Sequence, residues 1–367
     1  MKVLHVLNEL KPSGAETMLR CAAPFWQAHG VTSELLSTGP EEGSYATALR
    51  SAGYQIHHLP AKRSPGFFLQ FRNLVRTGGY DVVHQHAEGA SYWFGLASLA
   101  AGARVVRTVH NNFAFNGNLR WRRALQRRHL AALGVRYVAI APGVHDNEKS
   151  RFGISSELVW NWIDTARFAP VTPLERQAAR ESWGFSEHDI VLVTVGNCSP
   201  VKNHHAVIEA LAKLPDIPTL RYLHVGTETN DADERQLAIQ LGVSERVTFC
   251  GWTDPRPAFA AADLYLMPSL YEGLGLAAVE ALSVGLPALL ADVDGLRDLR
   301  NIIPHLIYAE PNAASIAAAL SHFCATPAPT WRSRAAPYPG LVAERFGVER
   351  GVREYVDVYR QAGKTHR

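Results

Sequence analysis

The 367-residue sequence has few cysteines and no long apolar segment. The four cysteines, Cys21, Cys198, Cys250 and Cys324, include no C-x-x-C pair, which argues against a zinc framework and favours a reducing compartment. The uncharged run 89–103 is shorter than the about 18 apolar residues that a membrane span requires. Residues 1–10 alternate around polar positions instead of forming the apolar core of a secretory signal. We therefore expect a soluble, cytoplasmic protein.

Neither sign of charge dominates the composition. There are 37 basic and 34 acidic residues, for a net charge of +3. This excess is too small to indicate a nucleic-acid partner, although it is compatible with an anionic ligand or surface. The chain exceeds the ~250–300 residues at which a single core stops growing, and its 47% hydrophobic content can fill two cores. Two domains are therefore predicted.

In the first half, apolar segments of strand length alternate with segments of helix length, which indicates a parallel sheet covered on both faces. The predicted strands are 3–7, 34–37, 55–59, 81–84, 105–109 and 137–140. Ligands of such sheets bind beyond the carboxyl ends of the strands, where Gly14, His86 and His110 fall. We predict that His84 and His86 point to opposite faces, are structural, and do not share a metal ion.

The most informative stretch runs from residue 264 to 292 and reads LYLMPSLYEGLGLAAVEALSVGLPALLAD. It predicts a strand, a glycine-bearing turn, a helix and a second strand. Gly273 and Gly275 allow backbone N–H groups to approach a ligand at the helix N-terminus, where partial positive charge favours phosphate. Glu272 precedes this turn and Glu280 follows eight positions later. Carboxylates so placed suit the hydroxyls of a sugar and of a ribose.

Two other interpretations of this stretch stay open at this point. It could be an ordinary buried turn with an exposed Glu272 and a salt-bridged Glu280. Alternatively, Gly273, Gly275 and Ala278 fit the dinucleotide fingerprint G-x-G-x-x-A, with Asp292 and Asp294 near the distance at which an acidic residue holds a ribose. The second alternative would be an NAD-dependent dehydrogenase. Its fingerprint would lie unusually far along the chain, because dehydrogenases carry it in the first βα turn of the nucleotide domain.

The segment EGLGLAAVE resembles the E-x7-E motif of the retaining glycosyltransferases of family 4, which have the GT-B fold of two facing Rossmann-like domains. Further landmarks resemble the family in the expected order. They are the loop Ser13-Gly14-Ala15-Glu16, His110 at a strand end, the hinge segment 158–170, the loop 196–203 with Lys202, and the backbone around Thr227 and Gly251–Trp252.

Three positions depart from the family pattern. Ser13 stands in place of one glycine of the first turn, and Trp162 in place of the glycine at the hinge. Asn197 replaces the arginine of the G-R-L-x-x-x-K-G loop, which removes one positive charge from the expected diphosphate clamp. The weakened diphosphate clamp supports a third interpretation, a catalytically silent GT-B protein that binds a nucleotide sugar and serves as a regulatory or assembly partner.

The resemblance implies three parts of the chain and one reaction. An acceptor-side domain would span 1–168, a nucleotide-sugar-binding domain 169–345, and a closing helix that crosses back to the first domain 346–367. The enzyme would transfer a hexose from a UDP-, GDP- or ADP-sugar to a glycan, lipid-linked or small-molecule acceptor, with retention of configuration. No metal and no other cofactor are expected.

The resemblance also implies roles for individual residues. Glu280 would bind the donor ribose, Glu272 the sugar hydroxyls, and Lys202 the diphosphate, together with backbone N–H groups. His110 would lie beside the transferred sugar. Of these, His110, Lys202 and Glu272 would be catalytic. The donor-binding positions would be Gly14, Asn197, Lys202, Trp252, Gly273, Leu274, Gly275, Leu276 and Glu280.

Two further segments carry predictions of their own. The stretch 119–130, LRWRRALQRRHL, predicts a basic helix, by default a solvated surface. The functional alternative is peripheral contact of Arg120–Arg128 with anionic lipid headgroups, at ~1 kcal/mol per basic residue, which would serve a lipid-linked acceptor. Residues 326–340 are rich in proline and polar residues and are predicted to form a loop, followed by a terminal helix.

Overall fold

The computed structural model describes residues 1–62, 64–229 and 231–362. It divides into two compact units, Met1–Asp164 together with the described residues from Phe346 onward, and Thr165–Arg345. The sequence predicts a domain boundary between residues 168 and 169, whereas these units divide between Asp164 and Thr165.

The first unit contains a parallel sheet of seven strands in the order β3-β2-β1-β4-β5-β6-β7. Its strands are β1 (Lys2–Leu7), β2 (Thr32–Ser37), β3 (Gln55–His58), β4 (Val82–Gln85), β5 (Arg104–Val109), β6 (Arg136–Ala139) and β7 (Glu157–Leu158). Its helices are α1 (Gly14–Ala28), α2 (Ala46–Ser51), α3 (Pro65–Gly78), α4 (Ser91–Ala100), α5 (Gly117–Ala132) and α6 (Pro142–Asn147), followed by a π-helical turn (Glu148–Phe152). The strand order reverses between β1 and β4, so ligands are expected beyond the carboxyl ends of these strands.

The second unit contains a parallel sheet of six strands in the order β10-β9-β8-β11-β12-β13. Its strands are β8 (Ile190–Val195), β9 (Leu220–Val225), β10 (Val247–Phe249), β11 (Leu264–Met267), β12 (Ala288–Ala291) and β13 (Ile307–Ala309). Its helices are α7 (Pro173–Ser182), α8 (His204–Ala212), α9 (Asp233–Gln240), α10 (Pro255–Ala261), α11 (Leu276–Ser283), α12 (Ala313–Ala325), α13 (Ala328–Ala335) and α14 (Tyr338–Phe346), with 3-10 turns at Ser244–Arg246 and Arg297–Asn301. Here the order reverses between β8 and β11.

The strands that were predicted from the sequence are present, with bounds shifted by no more than three residues at either end. These strands could be predicted because central parallel strands are buried on both faces, so their sequences are continuous apolar runs. All four residues of β11 are buried, as are all but the first of β1.

The prediction of a loop over 326–340 is wrong, because α13 and the start of α14 occupy this segment. Pro329 and Pro339 each lie in the first turn of a helix, where the missing N–H costs nothing because it would have no partner within the helix. Trp331 and Tyr338 are buried. Burial of these aromatic side chains outweighs the low helix propensity of the segment.

The last helix, α15 (Val348–Gln361), belongs to the first unit. Its apolar face contributes Val352, Tyr355, Val356 and Tyr359 to the core formed by β1 and α1. The predicted return of the closing helix to the first domain is thus confirmed. Among the described residues, no helix combines the length and the apolar character that crossing a bilayer demands.

Candidate active site

Two loops meet where the strand order of the second sheet reverses. The β8–α8 loop (196–203) follows β8, and the β11–α11 loop (268–275) follows β11. The backbone N–H of Leu270 donates to the carbonyl of Val201 at 2.8 Å. The side-chain amide of Asn203 donates to the carbonyls of Pro268 and Pro311, at 3.0 Å each. These bonds hold the loops in a fixed mutual position at the ligand-binding edge of the sheet.

The loops bring Lys202 and Glu272 together. The Nζ of Lys202 lies 2.7 Å from Oε1 of Glu272, and the hydroxyl of Ser269 donates to the same oxygen at 2.8 Å. The lysine side chain is 30% exposed and the glutamate side chain 13%. The lysine side chain is therefore partly exposed and is positioned by a carboxylate, which is the arrangement needed to receive an anionic ligand.

The helix α11 begins at Leu276, four positions after Glu272. Gly275 precedes the helix in a left-handed conformation, with φ of 76°. A Cβ at this position would lie 2.8 Å from Leu296 Cδ2 and from Met267 Sδ, so glycine is required both by its conformation and by close packing. In the described part of the chain no side chain caps this end. The first N–H groups of α11, starting at Leu276, thus remain available to an anion.

Glu280 lies one turn into α11. Its burial raises the pKa of the carboxyl to about 8, with Arg167 opposing the shift and Asp254 adding to it. Arg167 and Asp254 form an ion pair at 2.9 Å. At neutral pH the Glu280 carboxyl is therefore mainly protonated and can both donate and accept a hydrogen bond, which suits a pair of vicinal hydroxyls.

Asn197, which stands where the family has arginine, fastens a neighbouring loop. Its Oδ1 accepts a hydrogen bond from the backbone N–H of Thr227 at 2.9 Å, and the N–H of Cys198 donates to the carbonyl of Thr227 at 2.9 Å. A Cβ at Gly226 would lie 2.1 Å from the carbonyl oxygen of Gly196, so the two loops touch backbone to backbone. Trp252 is 64% exposed. The direct contact of Asn197 with a donor stays a prediction.

Gly14 and His110 lie in the first unit, both at the carboxyl edge of its sheet, and their contact with a donor stays a prediction. Gly14 begins α1, where the side chains of Ser13 and Glu16 bond to each other. His110 follows β5 directly, and its Nε2 lies 3.0 Å from Nδ1 of His86.

The prediction that His84 and His86 point to opposite faces is wrong. Residues two positions apart in a strand share a face, and their ring centroids lie 4.0 Å apart. His84 is held by Tyr359 and Thr108, with nitrogen–oxygen distances of 2.6 Å each. His86 contacts His110, which the sequence predicts to be a site residue.

The predicted basic surface of α5 is divided between the two sides of the helix. Arg127 is buried and bonds to Glu148 at 2.9 Å and to Glu88 at 3.2 Å, so it is excluded from a lipid contact. Arg122 and Arg128 are exposed. They share the outer side with two large apolar residues, Trp121 (68% exposed) and Leu125 (72% exposed). The run of arginines thus combines core ion pairs with a mixed basic and apolar surface.

Sequence reasoning did not single out Ser269, Arg167 or His5. Ser269 directly follows the strand β11 and its proline, a position at the carboxyl edge that could have drawn attention. Arg167 acts on Glu280 from far along the chain, and no local pattern reveals this. His5 lies within β1 among apolar residues; its partners come from other strands.

Comparisons with known proteins relate both halves of the chain to glycosyltransferases. A family model described as Glycosyl transferases group 1 matches residues 175–334, and one described as Glycosyltransferase Family 4 matches residues 12–167. The putative glycosyltransferase EpsD of Bacillus subtilis (strain 168) is 29% identical over 259 residues, which is 66% of this chain and 68% of EpsD. The D-inositol 3-phosphate glycosyltransferase of Nocardia farcinica (strain IFM 10152) is 37% identical over 292 residues, 73% of this chain and 62% of that enzyme.

Two further similarities concern a named reaction and a solved structure. The UDP-Gal:alpha-D-GlcNAc-diphosphoundecaprenol alpha-1,3-galactosyltransferase of Escherichia coli is 26% identical over 236 residues, 60% of each chain. The crystal structure of Anabaena Alr3699/HepE in complex with UDP and glucose has a TM-score of 0.85 at 19% identity, covering 98% of this chain and 100% of HepE.

Two all-parallel Rossmann-like units, with a closing helix that returns to the first, define the GT-B class of folds, and the structural similarity confirms this fold. Within that class, the chain belongs to the family 4 glycosyltransferases of group 1. The assignment decides against the dinucleotide interpretation of Gly273, Gly275 and Ala278. Asp292, its candidate ribose ligand, is bound by Arg297 at 2.7 Å and Arg300 at 3.1 Å.

Proposed function

We propose that the protein transfers a hexose from a nucleoside-diphosphate sugar to an acceptor hydroxyl with retention of configuration. The observation that carries this proposal is the ion pair of Lys202 and Glu272, at 2.7 Å, beside the uncapped N-terminus of α11. It sets a cation, a carboxylate and backbone N–H groups side by side. A sugar diphosphate requires all three, because the phosphates are anionic and the adjoining hydroxyls are neutral.

In the proposed reaction the bond between the sugar C1 and the diphosphate oxygen breaks, and a bond from C1 to the acceptor oxygen forms on the same face. The acceptor proton passes to the leaving phosphate oxygen. Lys202 and the N–H groups of Gly275 and Leu276 stabilise the negative charge that grows on the leaving diphosphate, as preorganised donors cost no reorganisation during the reaction. Glu272 orients the sugar through its hydroxyls, and Glu280 binds the ribose. His110 and Gly14 contact the sugar and the diphosphate.

We further propose that no metal ion takes part. A metal bridging the diphosphate would need carboxylate oxygens beside the phosphates. Glu272 already receives Lys202 and Ser269 on one oxygen, and burial raises the pKa of Glu280 to about 8. Neither carboxylate is thus well suited to bind a cation, whereas Lys202 supplies the compensating charge itself.

For the donor we propose a UDP-sugar, and for the acceptor a lipid-linked sugar at an anionic membrane surface. The complexes of HepE with UDP and glucose, and the UDP-Gal donor named for the Escherichia coli enzyme, support the choice of base. The diphosphoundecaprenol acceptor in that enzyme's name supports the lipid carrier. The mixed surface of Trp121, Arg122, Leu125 and Arg128 fits such a location, since apolar side chains can enter the interface while arginines pair with headgroups.

The proposal is tested by isothermal calorimetry with UDP, GDP, ADP and NAD, with and without magnesium, followed by transfer from radiolabelled UDP-hexoses to a synthetic polyprenyl-diphosphate sugar. We expect magnesium-independent binding of UDP and a product whose anomeric configuration matches the donor. Binding only of GDP or ADP would correct the base and leave the site assignment in place. No binding of any nucleoside diphosphate would contradict the proposal, and binding without transfer to any acceptor would favour the silent GT-B protein.

A further inference from the structure

Three histidines form a continuous chain through the first sheet to its carboxyl edge. Nδ1 of His5 in β1 lies 3.0 Å from Nε2 of His86, which follows β4. Nδ1 of His86 lies 3.0 Å from Nε2 of His110, which follows β5. His5 is fully buried, whereas His86 and His110 are half-buried. The chain thus leads from the core of the first unit to the carboxyl edge of its sheet.

All three imidazoles are neutral at physiological pH. Burial lowers the pKa of His5 to about 3 and that of His110 to about 4. The pKa of His86 is also well below its ordinary value, through burial and its histidine neighbours. A neutral imidazole has one N–H and one bare nitrogen, and each contact needs one of each. The three protons can therefore adopt only two arrangements, both of which fix all three tautomers together.

The buried end of the chain distinguishes these arrangements. Nε2 of His5 has no hydrogen-bond partner among the described residues. If the N–H groups point from His110 toward His5, this atom is a buried N–H without an acceptor. If they point from His5 toward His110, it is a bare acceptor nitrogen. Buried N–H groups without an acceptor are the rarer arrangement in proteins, so the second order is favoured.

We infer that His86 is a positioning residue for His110: its Nδ1–H donates to Nε2 of His110 and so fixes the tautomer in which His110 presents an Nδ1–H donor to the bound sugar. This inference rests on the proposed function for the identity of the ligand. It also specifies the chemistry of the contact. His110 acts as a hydrogen-bond donor to a sugar oxygen and does not accept the acceptor's proton.

A shared metal ion is the competing account of this cluster. His5, His84 and His86 each have a ring nitrogen within 4.8 Å of the others. However, both nitrogens of His84 are engaged, with Tyr359 and with Thr108, and Thr108 in turn contacts the hydroxyl of Tyr355 at 2.7 Å. A metal ion would have to break these bonds and the bond of His5 to His86. The hydrogen-bonded chain needs no such rearrangement.

The test is the 15N spectrum of histidine side chains in the full-length protein at neutral pH, which reports the protonated nitrogen of each ring. We compare the parent with His86→Leu, which removes both ring nitrogens, and His86→Asn, whose amide can donate from near the position of Nδ1. The exposed His58 provides the control variant His58→Asn. Metal content of the purified protein is measured alongside.

We expect His110 to have a protonated Nδ1 and a bare Nε2 in the parent. His86→Leu should give mixed tautomers at His110 and lower kcat by about tenfold or more, with UDP affinity unchanged. His86→Asn should restore one tautomer and most of the rate. A protonated Nε2 on His110, or bound zinc shifting the signals of His5, His84 and His86, would overturn the inference. A parent with the expected spectrum but no transferase activity would contradict the proposed function and leave the histidine chain standing.

Discussion

Lys202 Nζ and Glu272 Oε1 lie 2.7 Å apart although the two residues are 70 positions apart in the sequence. Their loops follow β8 and β11, the adjacent strands at which the order of the second sheet reverses. The sheet topology therefore brings the two side chains together. An incoming diphosphate can take over the lysine, which leaves the carboxylate to the sugar. This exchange is the basis of the first two predictions.

Replacing Glu272 by alanine should lower turnover at least about tenfold while UDP affinity stays within a factor of about three. The sugar loses an orienting contact, whereas the diphosphate contacts through Lys202 and α11 remain. Steady-state rates and calorimetry with UDP measure the two effects separately. The exposed Glu187 gives the control variant Glu187→Ala. Unchanged turnover in Glu272→Ala would remove this residue from the site.

Replacing Lys202 by methionine should weaken UDP binding by about 10- to 100-fold, since a hydrogen bond to a charged group contributes about 1.5–3 kcal/mol. Uridine lacks the phosphates, so its affinity should be the same for the parent protein and for Lys202→Met. Lys213→Met, at an exposed position after α8, is the matched control. An equal loss of uridine and UDP binding would instead indicate a disturbed loop.

The strands and the motif order could be read from the sequence because both are local. Buried parallel strands form apolar runs, and Gly275 lies in a turn whose left-handed conformation favours glycine. The partner of Asn197 could not be read, because Thr227 comes from the next strand's loop. The helices α13 and α14 were missed because their prolines are disfavoured on average yet acceptable in a first turn.

The hinge position Trp162 gives a prediction on stability. A Cβ at Gly351 of α15 would lie 2.1 Å from Cε3 of Trp162, so the tryptophan occupies space that glycine leaves. Gly351→Ala should destabilise the protein by about 1–3 kcal/mol through overpacking. In a Trp162→Leu background the same alanine should be neutral or stabilising, because alanine exceeds glycine in helix propensity by about 1 kcal/mol.

Urea unfolding followed by circular dichroism of the four proteins in this double-mutant cycle measures the coupling. The hydrogen bond from Trp162 Nε1 to the carbonyl of Met18, at 2.9 Å, is lost in both proteins with leucine and so cancels. Additive effects of the two substitutions would show that the close contact is relieved by other means. Such a pairing of glycine and tryptophan across 189 positions, from 162 to 351, is invisible to local patterns.

The outer side of α5 should bind anionic membranes. Reversing the charge of Arg122 and Arg128 to glutamate, or changing Trp121 and Leu125 to serine, should each reduce co-sedimentation with vesicles that contain phosphatidylglycerol. The arginine pair contributes about 2 kcal/mol at ~1 kcal/mol per residue. Neutral phosphatidylcholine vesicles should bind weakly in every case.

Arg76→Glu with Arg353→Glu, at exposed positions on α3 and α15, controls for the change in net charge. Arg127→Glu is unsuitable for this test, since it would place a second carboxylate beside the buried Glu148 and destabilise the fold. If the parent protein does not sediment with anionic vesicles, the membrane location is wrong.

The raised pKa of Glu280 predicts how stability changes with pH. The folded carboxyl keeps its proton up to a pKa of about 8, above the ordinary value of 4.5, so between these values the unfolded state has lost a proton that the folded state retains. Stability from this group is fully present below about pH 4.5 and falls as pH rises to about 8, with a slope approaching 1.4 kcal/mol per pH unit at ~25 °C.

Glu280→Gln removes the titration. The variant should therefore gain stability relative to the parent as pH rises from 5 to 8, as measured by urea unfolding at several pH values, whereas the exposed control Glu187→Gln should show a constant difference. A difference for Glu280→Gln that does not grow with pH would mean that Arg167 keeps the carboxyl ionised, and the ribose would then meet a carboxylate that only accepts hydrogen bonds.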